Sequence, residues 1–316
     1  MEDKLPRRRL GSTGLDIFPV CLGCNPLGWT ADESRSFEIL DAFHAAGGNL
    51  LDTADEYSDW APGNGGGVSE RIIGKWMRAR GNRDRIIVAT KVGLYRPLRG
   101  LAARTIQSAI EGSLKRLGTE YVDLYYAHAD DPIVPQEETL AAFDALVRDG
   151  KVRYLGASNI SAGRLLNALI VSERGGWSQY AVVQPHYNLI DRDAYEAKLM
   201  PVCEARGLAV LPFQGLAMGF LSGKYRADGP IVESARMPRV RDLYMNQRGY
   251  AALEAVTAVA AEIAAPVAAV ALAWLLAQRS VVAPIVGASH PDQVADLMRA
   301  AYIALTPDQL SSLRVC

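Results

Sequence analysis

Four residues of complementary chemistry, Asp52, Tyr57, Lys91 and His128, stand at or just beyond the ends of three successive apolar runs. The runs are Asn49 to Asp52, Ile86 to Lys91 and Val122 to His128, each short enough to be a buried strand. A carboxylate at the end of a buried strand needs a cationic or hydrogen-bonding partner, because an unpaired buried charge is costly or titrates away. Lys91, on the next run, can supply it. A phenol has a pKa of about 10 in isolation, and a neighbouring ammonium favours its phenolate and so brings it toward use as an acid and base. An aldehyde or ketone being reduced by hydride develops alkoxide charge, so it needs a proton donor and a fixed donor aimed at its oxygen. Tyr57 suits the first task and a ring N–H of His128 the second, with Asp52 holding Lys91 in place.

Each residue alone has an ordinary reading: Asp52 as a capping acid, Lys91 as a rim cation, His128 as a satisfied core histidine. Their joint appearance at strand ends is what those readings leave unexplained. Competing constellations are incomplete. Gly156-Ala157-Ser158-Asn159-Ile160 lacks the final glycine of a nucleophile elbow. The histidines His44, His128, His186 and His290 show no metal-ligand spacing, and no metal is expected. Cys21-Leu22-Gly23-Cys24 has no second pair for zinc and no helix start after it, so it reads as a strand end.

The elements that must carry these residues alternate along the chain. Arg7 to Phe18, with Gly11 and Gly14 at turn positions, reads as a short hairpin that could plug one end of a barrel. Strand candidates are Pro19–Gly23, the run ending at Asp52, those ending at Lys91 and His128, Val152–Ser158, Ala181–Pro185, Ala209–Pro212 and Val282–Val286. Helices are expected from Thr30 to Ala46, Ser69 to Arg80, Ala102 to Leu117, Pro135 to Asp149, Ala162 to Glu173 and Ala194 to Arg206, with a pair between Ala251 and Gln278. Eight strand-helix units with continuous apolar strands predict a single (β/α)8 TIM barrel spanning residues 1–316. A doubly wound sheet would need G-x-G-x-x-G after its first strand, and Gly23 to Gly28 does not supply it.

Two connections run long, Ser58 to Val68 and Lys224 to Arg248, as functional loops do. The first carries Trp60 and suits a wall over a substrate. The second carries Lys224, Arg226, Arg236, Arg239 and Arg241 and suits a flap over an anionic cofactor, or else a solvated basic loop.

With 316 residues and a formal net charge of −1, the chain has no general attraction for nucleic acid or membrane. Its four cysteines make a poor disulfide framework, and no charged-then-apolar leader precedes Arg7-Arg8-Arg9, so a cytoplasmic location is expected. The apolar run Ile263 to Ala277 contains Pro266 and is shorter than the roughly 20 residues of a membrane span.

The order Asp52, Tyr57, Lys91, His128 resembles the catalytic tetrad of the aldo-keto reductase superfamily. Further segments carry the likeness over nearly the whole chain: Leu10 to Leu15, Gly150 to Asn159, Pro212 to Gly215 and Phe220 to Tyr225. The resemblance implies a nicotinamide cofactor, NADP(H) with NAD as the alternative, and a small-molecule carbonyl or alcohol as substrate. It places Ser158, Asn159 and Gln184 at the carboxamide, Phe213 against the nicotinamide ring, and Gly23, Cys24, Asn25 and Asp52 nearby. Gln214, Gly215, Leu216 and Gly219, with Gly287, Ser289, His290 and Gln293, would cradle the pyrophosphate and adenosine ends, with Lys224 and Arg236 as cations. Trp29, Tyr57, Trp60 and His128 would surround the substrate. One departure is plain: relatives that prefer NADPH carry a Lys or Arg in the turn after the eighth barrel strand to hold the 2′-phosphate, and here Ser280 to Met298 holds none and offers His290 and Gln293 instead, which leaves Lys224 or Arg236 of the long loop to supply a cation. Two alternatives accompany the reductase reading: an NAD-dependent sugar or alcohol dehydrogenase running oxidatively, and a regulatory subunit like the potassium-channel β subunits. The intact tetrad and the lack of an N-terminal extension favour the enzyme.

Overall fold

A computed structural model of the chain describes residues 5–226, 229 and 232–314. Two short antiparallel strands, β1 (Arg8–Arg9) and β2 (Asp16–Ile17), form the expected hairpin. Eight parallel strands follow: β3 (Cys21–Gly23), β4 (Leu50–Asp52), β5 (Ile87–Val92), β6 (Val122–Ala127), β7 (Val152–Ser158), β8 (Tyr180–Gln184), β9 (Ala209–Val210) and β10 (Ile285–Val286). They lie in the order β10-β3-β4-β5-β6-β7-β8-β9. The sheet then closes on itself: Val210 N–H donates to Ser280 O at 2.9 Å, Val282 N–H to Val210 O at 2.9 Å, and Ile285 N–H to Pro212 O at 2.8 Å. The result is a (β/α)8 barrel.

Helices α1 (Glu33–Ala45), α2 (Val68–Arg80), α3 (Ala103–Leu117), α4 (Gln136–Arg148), α5 (Ala162–Gly175), α6 (Met200–Ala205), α7 (Met237–Tyr244), α8 (Gln247–Glu262), α9 (Val267–Leu276), α10 (Asp292–Met298) and α11 (Pro307–Ser312) are the helical elements. Their ends follow from local chemistry. The Asp32 side chain accepts from Arg35 N–H to start α1, and α2 and α3 stop at Gly81 and Gly118, both left-handed. Alternate strand residues face two cores. Leu22, Leu51, Val88, Tyr125 and Leu155 pack outward against helix residues such as Ile39, Ile73, Trp76 and Ile106. Cys21, Leu50, Ile87, Ala89, Leu124, Tyr126, Val182 and Ala209 fill the barrel, and Leu10 and Ile17 of the hairpin close its lower end. The Arg8 guanidinium ties that plug down by donating to Leu276 O and Val281 O. Gly156 is required inside: a Cβ there would lie 2.4 Å from the Tyr126 ring.

Three expectations need correction. The Lys224 to Arg248 segment is not all loop, because α7 sits within it. Pro238 in its first turn and buried Met237, Val240 and Tyr244 at helical spacing account for it. The expected helix from Ala194 to Arg206 begins as a wider π turn, Tyr195–Leu199, before α6. Pro201 has no amide proton to return to Ala197, so regular α-helix cannot run through it. The chain after β10 adds α10 and α11, which the alternation of strands and helices left out. Within the Ile263 to Ala277 run, α9 starts after Pro266 and is buried from Ala268 to Leu276, and no single helix among the described residues is long and apolar enough to cross a membrane.

Candidate active site

Strand ends bring the four reactive side chains together at one mouth of the barrel. Asp52 ends β4 in register with Gly23 of β3 and Ala89 of β5. Lys91 lies on β5, and His128 follows β6, its N–H donating to Val92 O. Tyr57 sits in the turn after β4, where Ser58 adopts φ +74°. Lys91 is fully buried, and its Nζ donates to Asp52 Oδ2 at 2.6 Å, Thr53 O at 2.8 Å and Tyr57 Oη at 2.9 Å. All three ammonium protons are thereby used. Because the Tyr57 oxygen accepts from Lys91, its own proton is left for the cleft, the only other partner among the described residues being Asp52 Oδ2 at 3.5 Å. Gln184 Nε2 donates to Asp52 Oδ1 at 2.8 Å and fixes the carboxylate from β8.

Burial dominates the electrostatics. It pushes the Tyr57 phenol above its ordinary pKa, and the Lys91 cation offsets only part of that rise. The expectation that Lys91 brings the phenol below its ordinary value is therefore corrected: Lys91 acts in that direction and burial outweighs it. Burial would lower Lys91 itself, but Asp52 and Tyr57 hold it above the usual lysine value. His128 is held well below the ordinary imidazole range by burial and then by Lys91, so at neutral pH its ring is uncharged. Asp55, between Asp52 and Tyr57 in sequence, is buried with neither carboxyl oxygen hydrogen-bonded among the described residues. Burial and then Glu70 push it up to about 8, against Arg116.

The tetrad opens on a cleft of about 250 Å³ that continues into a second chamber of about 610 Å³. Asp52, Tyr57, His128, Ser158, Asn159, Gln184, Phe213, Gln214 and Gly215 line the first, with Gly23 and Asn25. Leu216, Gly219, Arg236 and Gly287 line both and mark the passage between them. Lys224, Ser289, His290 and Gln293 line the second. Asn159, at φ +47°, donates to His128 O at 2.8 Å, and Ser158 Oγ to Gln184 O at 2.9 Å. Gln214, Ala217, Met218 and Gly219 of the turn that lines the passage have positive φ. At Gly287 a Cβ would lie 3.0 Å from Gly23 O and from Pro26, a tight contact that favours glycine there.

Other expected residues differ in their surroundings. Cys24 is buried, its thiol donating to Leu22 O, and lines neither chamber. Burial raises the Cys21 and Cys24 thiols far above reactivity. Cys316 lies outside the described residues. Trp29 and Trp60 stand at the rim: their rings meet edge to face at 5.6 Å, Trp60 lies 6.0 Å from the Tyr57 ring, and Trp60 is 44 % exposed. Arg236 crosses from the long segment to donate to Asn25 Oδ1 at 3.2 Å, with its guanidinium 5.7 Å from the centre of the Trp29 ring. His290 Nδ1 pairs with Asp292 at 3.1 Å. Arg35 of α1 and Met218 line the chambers without having been expected. Arg35 was legible only as one cation of an exposed helical turn; its chamber is made by tertiary packing. The two chambers thus carry polar groups at one end, the cations Lys224 and Arg35 at the other, and Arg236 with glycine backbone at the passage between them.

The structure thus sets a Lys–Tyr–Asp–His cluster at the strand ends of a closed parallel barrel. The aldo/keto reductase family model matches residues 19–316, and the chain belongs to that family. It is 34% identical to the uncharacterized oxidoreductase YrpG of Bacillus subtilis (strain 168), covering 96% of this chain and 93% of that protein. It is 32% identical to an aryl-alcohol dehydrogenase [NADP(+)] of Phanerodontia chrysosporium, over 95% of this chain and 82% of the relative. It is also 32% identical to a putative voltage-gated potassium channel subunit beta of Schizosaccharomyces pombe, over 98% and 92%.

Proposed function

We propose that the cleft reversibly reduces an aromatic aldehyde or ketone to its alcohol with NADP(H), Tyr57 serving as the general acid and base. The observation that carries this is the Lys91 ammonium, fully buried, with Asp52 at 2.6 Å and the Tyr57 oxygen at 2.9 Å. When bound, the nicotinamide supplies or takes the hydride. The chain's own part is proton transfer and charge stabilisation. A substrate oxygen gaining negative charge draws the Tyr57 proton that Lys91 leaves unengaged, and the ammonium then stabilises the phenolate that results. A phenol kept protonated by burial suits the donor role at neutral pH. Neutral His128, 6.0 Å from the Tyr57 ring, can offer one ring N–H to the same oxygen. Trp29 and Trp60 form an aromatic rim beside Tyr57, in keeping with an aryl substrate of the kind named for the Phanerodontia chrysosporium relative.

Lys224 and Arg35, opening on the larger chamber, are the cations for a 2′-phosphate, in place of the missing Lys or Arg after β10. The test is initial-rate turnover of aryl aldehydes, aliphatic ketones and aldoses with NADPH and NADH, and of the alcohols with the oxidised forms. Fastest turnover of aryl aldehydes with NADPH supports the reading. Cofactor binding without turnover of any substrate in either direction would overturn it and favour a regulatory subunit.

A further inference from the structure

The His128 ring has one nitrogen whose needs are unmet. Nδ1 is buried with no hydrogen-bond partner among the described residues, which leaves Nε2 as the nitrogen facing the cleft. Glu56, next to Tyr57 in the turn after β4, places Oε1 3.6 Å from Nδ1. That is longer than a hydrogen bond and within one side-chain rotation of one. The Glu56 side chain is only 20 % exposed, so it shares the pocket behind the ring rather than reaching into solvent.

We propose that the Glu56 carboxyl selects the tautomer of His128, and so decides whether the cleft offers a hydrogen-bond donor to a substrate oxygen. The inference rests on the carbonyl-reductase reading. A neutral Glu56 donates its O–H to Nδ1, which keeps the single ring proton on Nε2, aimed at the carbonyl oxygen. An ionised Glu56 accepts Nδ1–H instead, and Nε2 then presents a lone pair to that oxygen. Between the two states the Glu56–His128 pair releases one proton to solvent and the ring stays neutral. Carbonyl reduction needs the first state.

The groups that face the pair set where the exchange occurs. Burial and then Asp59, on the same turn, raise Glu56 above the usual carboxylate range, while Lys91 of β5 and Arg99 of the following loop oppose them. Burial and Lys91 hold His128 low, so its ring stays neutral while Glu56 titrates. The Tyr57 ring meets the His128 ring edge to face, with centroids 6.0 Å apart. Because the folded-state pKa of Glu56 is raised, the reduction-competent tautomer is present below that pKa and is lost as pH rises through it.

The experiment is nitrogen-15 NMR of histidine-labelled protein across pH, with a His128→Asn spectrum to assign the ring signals, alongside pH profiles of kcat/KM for wild type and Glu56→Gln. In wild type, Nδ1 and Nε2 should exchange protonated and unprotonated signatures as pH rises, and kcat/KM for reduction should fall by about tenfold per pH unit above the transition. In Glu56→Gln the amide N–H holds the Nε2-protonated tautomer, so both the exchange and that limb disappear. A wild-type tautomer that does not change with pH, or a Glu56→Gln protein that titrates as wild type does, overturns the proposal. The wild-type spectra decide it even where the variant folds poorly. Failure of every carbonyl to turn over would instead count against the reductase reading, while the spectra still test the coupling of Glu56 to His128.

Discussion

Two buried side chains, Asp55 beside the tetrad and Lys91 within it, make opposite demands on the fold. Asp55 is a buried acid with its pKa pushed up to about 8. An acid whose folded pKa exceeds its unfolded value, about 4, stabilises nothing when ionised. Its best contribution is present below the unfolded pKa and is lost as pH rises toward the folded one. Asp55→Asn should therefore gain stability over wild type as pH rises from about 4 to about 8, by an amount on the order of a few kcal/mol, read from denaturant melts at a series of pH values. No pH dependence in that difference would show that Asp55 is ionised and paired. Lys91 is the reverse case, a charge that the site requires. Lys91→Met leaves Asp52 with Gln184 at 2.8 Å and the Tyr57 hydroxyl at 3.5 Å but no cation, and should cost about 3 kcal/mol in the same melts. Turnover should fall as well, because no cation stabilises the Tyr57 phenolate. Retained stability and rate would reduce Lys91 to a space-filling group. At this scale much was legible in sequence, since Asp52, Tyr57, Lys91 and His128 are residue types that a strand end does not need. What was not legible was the balance of burial against charge at Tyr57, which depends on how completely the cleft walls exclude water.

At the scale of elements, strands and most helices could be read because their apolar runs and glycine stops are local signals. Short helices escaped. The α11 helix carries a full capping box between Thr306 and Gln309, a signal present in the sequence. The α7 helix has its proline in the first turn and hides among basic residues that read as loop. The long segment around it carries Arg236, which donates to Asn25 and lines both chambers. His290 fares less well as a phosphate ligand, since Asp292 already holds its ring. The 2′-phosphate preference should then rest on Lys224 more than on His290. Lys224→Ala should weaken NADPH relative to NADH by roughly tenfold, about 1.4 kcal/mol, and His290→Ala by less. The ratio of the two dissociation constants, measured by fluorescence titration, checks this. An unchanged ratio in Lys224→Ala would put the phosphate on other groups.

The whole molecule places its chemistry at one end of the barrel and its plug at the other. Leu10 and Ile17 close the lower end of a barrel whose upper end holds the tetrad. The plug should therefore matter to stability and little to cofactor affinity. Leu10→Ala should cost about 2 to 5 kcal/mol in unfolding while leaving the NADPH dissociation constant within error, and a large loss of affinity would mean that the barrel transmits strain between its ends. The barrel itself was legible from eight repeated units, whereas its closure depends on the short pairings of β9 with the segment before β10, which no local pattern displays. The account depends above all on the proton that Lys91 leaves free on Tyr57. The most direct measurement is single-turnover reduction of an aryl aldehyde by Tyr57→Phe protein preloaded with NADPH, with the cofactor dissociation constant measured in parallel. The predicted result is cofactor binding close to wild type and a rate of the chemical step lower by roughly 10²–10⁴. A rate near wild type with binding intact would contradict it and remove Tyr57 from the reaction.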